Sequence, residues 1–205
     1  MLKNKRILVV LAHPDDETLG CGGLIHKYHE QFIHCTVPVE RIKTQFLEAI
    51  GTLGVNNYNF GKFEDNRMDK APLADICKFV EDAIAQTNAE VIITHHANCT
   101  NQDHRLLYQA VCIATRPVRY RIPVLTCEIP SSTGYLRPCG FEPNYYVSIN
   151  NVDLVTKLVA LNKYETEKRA DRSPAVVSSL ARLRGAESGT EYAEAFMLIR
   201  GFDET

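Results

Sequence analysis

Residues 6–12 (RILVVLA) form an unbroken β-branched and leucine-rich run, the pattern of a strand buried on both faces of a parallel sheet. Residues 17–31 follow as a helix opened by acidic side chains, and residues 32–37 as a second apolar run. Residues 39–53 carry Ile42, Phe46, Ala49, Ile50 and Leu53 at helical spacing, with Gly54 as a stop signal. A short strand is expected at 58–60. An amphipathic helix follows at 73–86, with Ile76, Phe79, Val80, Ala83 and Ile84 on one face, and then a buried strand at 90–94 (EVIIT). Residues 103–115 read as helix and 123–128 as a fifth strand. Strand and helix alternate, which predicts an α/β fold with a mostly parallel sheet.

Beyond that point the texture changes. Pro130, Gly134, Pro138, Gly140 and Pro143 make 129–144 an irregular surface segment, and loops of that length tend to be functional. An edge strand at 145–149 and helices at 152–168 and 174–185 complete the expectation. One junction is abrupt: Thr36, Val37 and Pro38 run straight into the helical pattern from Val39, so either the crossover is tight or a loop is absent.

Composition narrows the function. With 45% apolar and 23% charged residues, 205 positions describe one folded domain spanning 1–205. Lys plus Arg is 23 against 25 for Asp plus Glu, so the net charge of −2 gives no broad basic field for nucleic acid. No apolar run approaches the ~20 residues that span a bilayer. The chain reads as a soluble, cytoplasmic protein. Its seven cysteines are odd in number and form no CxxC pair, arguing against a disulfide framework or thiolate zinc knuckle; Cys35, Cys112 and Cys127 sit in apolar runs as small hydrophobes.

The chemistry concentrates in His13-Pro14-Asp15-Asp16-Glu17, directly after the first strand. Ligands of open parallel sheets bind outside the carboxyl ends of the strands. Helix capping by Asp15 or Asp16, with Glu17 in the first turn, explains one acid or two. Three acids beside a histidine repel one another unless a cation relieves them, which points to a metal or catalytic role. A histidine and a carboxylate with a further nitrogen ligand and an open position describe a catalytic zinc site. The next strand end supplies Thr94-His95-His96, and beyond it comes Asn101-Gln102-Asp103-His104. His104 is the best third ligand, with Asp103 placed to orient it.

Ala12-His13-Pro14-Asp15-Asp16-Glu17 followed by Gly20-Cys21-Gly22-Gly23 resembles the signature of the LmbE/PIG-L deacetylases, zinc enzymes that remove acetyl groups from N-acetylglucosamine-type sugars and their conjugates. Thr94-His95-His96 through His104-Arg105 is similar to their second metal motif. Glu128-Ile129-Pro130-Ser131-Ser132-Thr133 and Ala193-Glu194-Ala195-Phe196 resemble later landmarks of one bacterial branch. The resemblance implies a Rossmann-like, mostly parallel sheet with helices on both faces and a small C-terminal elaboration. It implies Zn²⁺, or another divalent metal, on His13, Asp16 and His104, with Asp15 as general base and Glu17 and Asp103 as supports. Arg41 and Asp65 sit where related enzymes contact substrate. The implied partner is a small amino-sugar substrate, and related enzymes are often homo-oligomers.

The sequence also departs from the family. Asn101 stands where the commoner motif has a histidine that polarises the amide oxygen, so it becomes a substrate contact whose strength as oxyanion donor is in question, with His95 or His96 as substitutes. Ala170-Asp171-Arg172-Ser173 lacks a second family histidine. Arg137 is a further anion-binding expectation. Two other readings follow. A response-regulator receiver would need an Asp after the third strand and a Lys after the fifth, which Gly61-Lys62-Phe63 and Cys127-Glu128-Ile129 do not supply. A metal-binding relative without activity, serving as a binding or structural partner, is the alternative to a de-N-acetylase.

Overall fold

Strand β1 (Ile7–Val10) is buried along its whole length, as its unbroken apolar sequence requires. It pairs in parallel with β2 (Ile33–Val37) on one side and β4 (Val91–His95) on the other. Strands β3 (Asn57–Phe60) and β5 (Val124–Cys127) extend the sheet outward, and β6 (Tyr145–Ile149) and β7 (Tyr192–Arg200) complete it. The order is β3-β2-β1-β4-β5-β7-β6, parallel through β5 and antiparallel from β5 to β7 and from β7 to β6. The computed structural model describes residues 1–136 and 140–203; Arg137 and Cys139 lie outside the described residues.

The period of two along β1 divides the core. Ile7, Val9 and Leu11 face a cluster with Leu24 of α1 (Asp16–Lys27), Phe46 of α2 (Lys43–Thr52), Leu154 of α5 (Asn151–Leu161) and Val177 of α6 (Pro174–Ser188). Leu8, Val10 and Ala12 face Val80 of α3 (Leu73–Thr87) and Val111 of α4 (Gln102–Ala114). Helices therefore cover both faces, and no helix among the described residues is long and apolar enough to cross a membrane. The six cysteines within the described residues are all free.

Three elements depart from the sequence reading. Helix α2 begins at Lys43 instead of Val39, because the chain crosses from β2 through residues 38–42 and Ile42 takes a left-handed φ of 39°. The crossover is thus tight, and Gly61 permits it: a Cβ there would lie 2.4 Å from the Pro38 carbonyl oxygen. Helix α5 stops at Leu161, not Lys168, and residues 162–173 run as loop with two single 3-10 turns. Strand β7, the longest in the sheet, has no counterpart in the expected elements, since Ala193-Glu194-Ala195 lacks the β-branched signature of a strand.

Helix α1 bends at Cys21, whose φ of −149° and ψ of 23° leave the helical region. The bend frees amide groups that need acceptors. Glu194 of β7 supplies them, accepting from Gly23 N at 2.8 Å and Leu24 N at 2.7 Å. Lys157 of α5 neutralises that carboxylate at 2.6 Å and also donates to Leu19 O at 3.0 Å. Gly23 is required by this approach: a Cβ would meet Ile149 Cδ1 at 2.7 Å and Glu194 Oε1 at 3.1 Å.

Candidate metal and active site

The sheet's connections run outward to β2 and β3, then return past β1 to β4, so the ends of β1 and β4 flank a topological switch point. The turn after β1 carries His13, Asp15 and Asp16. The first turn of α4 carries Asp103 and His104, and Asn101 caps that helix, its side chain accepting from Asp103 N at 2.8 Å. His13 Nδ1 lies 3.1 Å from His104 Nε2 and 3.4 Å from Asp16 Oδ2, and His104 Nε2 lies 3.1 Å from the same Asp16 oxygen. All three side chains are buried, and they form the one group able to hold a metal ion among the described residues.

Helix capping does not account for the acids. Asp15 occupies the N-cap position of α1 without a side-chain cap bond, and Asp16 Oδ2 accepts from His13 N at 3.0 Å. Asp15 also has a φ of 109°, a left-handed conformation costing a non-glycine residue of order 1–3 kcal/mol, which clusters at functional sites. Its Oδ2 instead receives Arg172 Nη1 at 2.6 Å. Arg172 Nη2 reaches Glu167 Oε2 at 2.9 Å, and Arg41 bridges Glu167 Oε1 at 2.5 Å and Asp65 Oδ2 at 3.4 Å.

These side chains line a cavity of about 470 Å³ with His13, Asp16, His104, Asn66, Asn101, Ser131, Ser132 and Arg169. Among the described residues, Ile129 is its one aliphatic wall residue. Such a lining suits a polar ligand. Asp65 also approaches His13 Nε2 at 3.5 Å.

Proton affinities follow from this crowding. Burial, followed by the charge of Asp16, pushes Asp15 well above the usual carboxylate range, with Arg172 opposing. Burial would raise Asp16 too, yet His104 and the hydrogen bond from His13 hold it well below. Burial disfavours charge on His13, but its bonds to Asp103 and Asp16 win and lift it to about 9; His104 rises to about 10 against burial through Asp16.

The supports differ from expectation. Asp103 does not orient His104; its Oδ2 lies 3.1 Å from His13 Nε2, and its Oδ1 accepts from Met68 N at 3.1 Å. Glu17 stands behind the turn, accepting from Asp15 N at 3.1 Å and from Tyr164 Oη and Thr18 Oγ1 at 2.6 Å each. Asn101 has both ends of its amide engaged, since Nδ2 donates to Asn66 Oδ1 at 3.0 Å. His95 and His96 do not line the cavity. His95 Nε2 accepts from Ala12 N at 2.8 Å and its ring stacks on His104, while His96 Nδ1 accepts from Asn98 N. Tyr164 and Glu167 are contributors that the helical reading of 152–168 concealed, and Arg169 and Arg172, just beyond it, are contributors to which the sequence reading gave no role. The dense charge of Glu165 through Arg172, ending at Ser173-Pro174, is the signal that marks the stretch as loop.

A mostly parallel α/β sheet thus gathers His13, Asp16 and His104 at its switch point, as a group that could hold a metal ion. The profile described as PIG-L, GlcNAc-PI de-N-acetylase, matches residues 38–115. An uncharacterized deacetylase, YaiS of Escherichia coli K12, is 27% identical over 183 residues, covering 80% of this chain and 92% of its own. The 1D-myo-inositol 2-acetamido-2-deoxy-alpha-D-glucopyranoside deacetylase of Mycolicibacterium vanbaalenii is 24% identical over 199 residues, covering 75% and 70%. Among solved structures, the conserved protein TT1542 of Thermus thermophilus superposes with a TM-score of 0.80 at 18% identity over 98% of this chain and 97% of its own. GalB, a 4-carboxy-2-hydroxymuconate hydratase of Pseudomonas putida, gives the same 0.80 at 17% identity, covering 98% of each. The chain is thus similar to the PIG-L (LmbE) family over residues 38–115, and to deacetylases along most of its length.

Proposed function

We propose that this chain, acting as one domain over residues 1–205, is a zinc-dependent de-N-acetylase that hydrolyses the acetamido group of an amino sugar or its conjugate. Because the same fold serves a hydratase, the fold alone does not select the reaction. The supporting observation is the placement in one polar cavity of a three-residue ligand set beside an unligated buried carboxylate, Asp15, in a chain whose sequence relatives are named deacetylases.

The donors fit the ion. Ligands about 2.0–2.1 Å from a tetrahedral zinc stand roughly 3.3 Å apart; the separations here are 3.1, 3.1 and 3.4 Å. When bound, such an ion acidifies water and stabilises negative charge developing on an amide oxygen. Asp15 takes the proton from the attacking water and returns it to the departing amine, and burial together with the charge of Asp16 raises its proton affinity. Arg172 orients Asp15 through Oδ2 and limits that rise. Glu17 fixes the backbone of Asp15. Arg41, Asp65 and Asn101 offer hydrogen bonds to sugar hydroxyls from the cavity wall. The inactive-relative reading is not favoured, since it gives no reason to hold a strained, buried Asp15 beside the ligand set.

The test is acetate release from a panel of N-acetylglucosamine conjugates, including the inositol glycoside, by the zinc-loaded chain and by Asp15→Asn. The expected result is turnover by the native chain and a loss of ~10²–10⁴-fold in the variant with zinc retained. Equal activity of the variant, or no acetate from any conjugate, contradicts the proposal.

A further inference from the structure

A metal-binding histidine directs one ring nitrogen to the ion, and the partner of the other nitrogen fixes its tautomer and ring plane. The two histidines of this site meet that need differently. His13 is backed by the Asp103 carboxylate at 3.1 Å. His104 Nδ1 faces the sulfur of Cys99 at 3.0 Å. Cys99 is fully buried, and its thiol donates onward to Ser132 Oγ at 3.1 Å. The backbone around this chain of contacts is pinned, with Thr100 N donating to Ser132 O at 2.9 Å and Cys99 bridged to Thr133.

Resting on the metal site proposed above, we propose that Cys99 is the positioning residue of His104. Its sulfur accepts the Nδ1 proton, which leaves Nε2 as the donor atom toward Asp16 and His13, and its own S–H is anchored on Ser132. Cys99 is not itself a ligand: it touches the ring nitrogen opposite the one that lies 3.1 Å from Asp16. A thiol is a weaker acceptor than a carboxylate. His104 is therefore the softer-held of the two imidazoles, and the length of residue 99's side chain and its acceptor strength set how tightly the ion is kept. The contact also ties the ligand set to the loop containing Ser131 and Ser132, which line the cavity.

The experiment compares the full chain with Cys99→Ala, Cys99→Ser and Cys99→Asp, measuring zinc affinity by competition with a chromophoric chelator, the visible spectrum of the cobalt-loaded proteins, and unfolding of the metal-free forms. Expected are a ~10–100-fold loss of zinc affinity in Cys99→Ala, recovery of most of it in Cys99→Ser, and affinity at or above native in Cys99→Asp. The cobalt bands shift in Cys99→Ala, the native protein shows no sulfur-to-cobalt charge transfer, and the metal-free forms of Cys99→Ala and Cys99→Ser unfold alike. Native zinc affinity in Cys99→Ala, equal losses in Ala and Ser, or a sulfur charge-transfer band in the native protein overturns the assignment. If the native chain binds no zinc, the metal reading falls with it; if it binds zinc and Cys99→Ala matches it, only the role of Cys99 falls.

Discussion

At the scale of single residues, the site is a set of charges that satisfy one another only in part. Asp15 shares its surroundings with Asp16 and Glu17, and the Arg172 guanidinium bonded to it opposes their effect. Removing that cation in Arg172→Gln raises the proton affinity of Asp15 further. The acidic limb of the kcat/KM profile then moves to higher pH, as initial rates across a pH series will show; an unmoved limb would separate Arg172 from Asp15 in function. His13 and His104, lifted to about 9 and about 10, carry protons at pH 7 in the metal-free chain. Metal binding must displace them, so calorimetry in buffers of different ionisation heat should record about two protons released per ion at pH 7. The stability contribution of these raised histidines is complete below pH 6.5 and is lost as pH climbs through 9 to 10. Thermal unfolding of the metal-free chain should accordingly weaken across that window. That His13, Asp15, Asp16, Asn101 and His104 gather around one cavity was legible in the sequence because they follow strand ends in two motifs, whereas Arg41 and Asp65, which also line it, came only from the family resemblance. Arg172 and Glu167 were not legible, since each meets a partner distant in sequence, Asp15 and Arg41 respectively.

At the scale of elements, the sequence pattern yields strands and helices where burial is symmetric or periodic, and fails where a single polar group dictates the path. Strands β1, β2 and β4 were readable from their apolar runs. Strand β7 was not, because its inward Glu194 is buried for a hydrogen-bonding reason: it holds the bent segment of α1 at Gly23 and Leu24. Glu194→Ala leaves Lys157 buried without its counter-ion, so a loss of ~3–5 kcal/mol is expected from chemical denaturation. A change below about 1 kcal/mol would show that the bend is held by packing alone. Residues 162–173 carry the same lesson, since a charged run continuing the helical register of α5 is in fact the loop that brings Glu167, Arg169 and Arg172 to the cavity.

For the molecule as a whole, sheet order puts the ends of β1 and β4 side by side, and the loops and helix starts gathered there line the cavity. One ion held by His13, Asp16 and His104 would therefore fix residues from segments far apart in sequence. Zinc at a hundredfold excess over its Kd adds about 2.7 kcal/mol to stability, roughly 5–10 °C in Tm for a chain of this size. Scanning calorimetry with and without a chelator will read that shift, and an unchanged Tm would contradict a built metal site. The most direct test joins metal and reaction: the metal-stripped chain is titrated with zinc while acetate release from an N-acetylglucosamine conjugate turned over by the native protein is recorded. Activity should rise from baseline to a plateau near one equivalent, and His104→Ala should stay near baseline at that ratio. Full activity in the stripped chain, or the same titration curve in His104→Ala, would contradict the account.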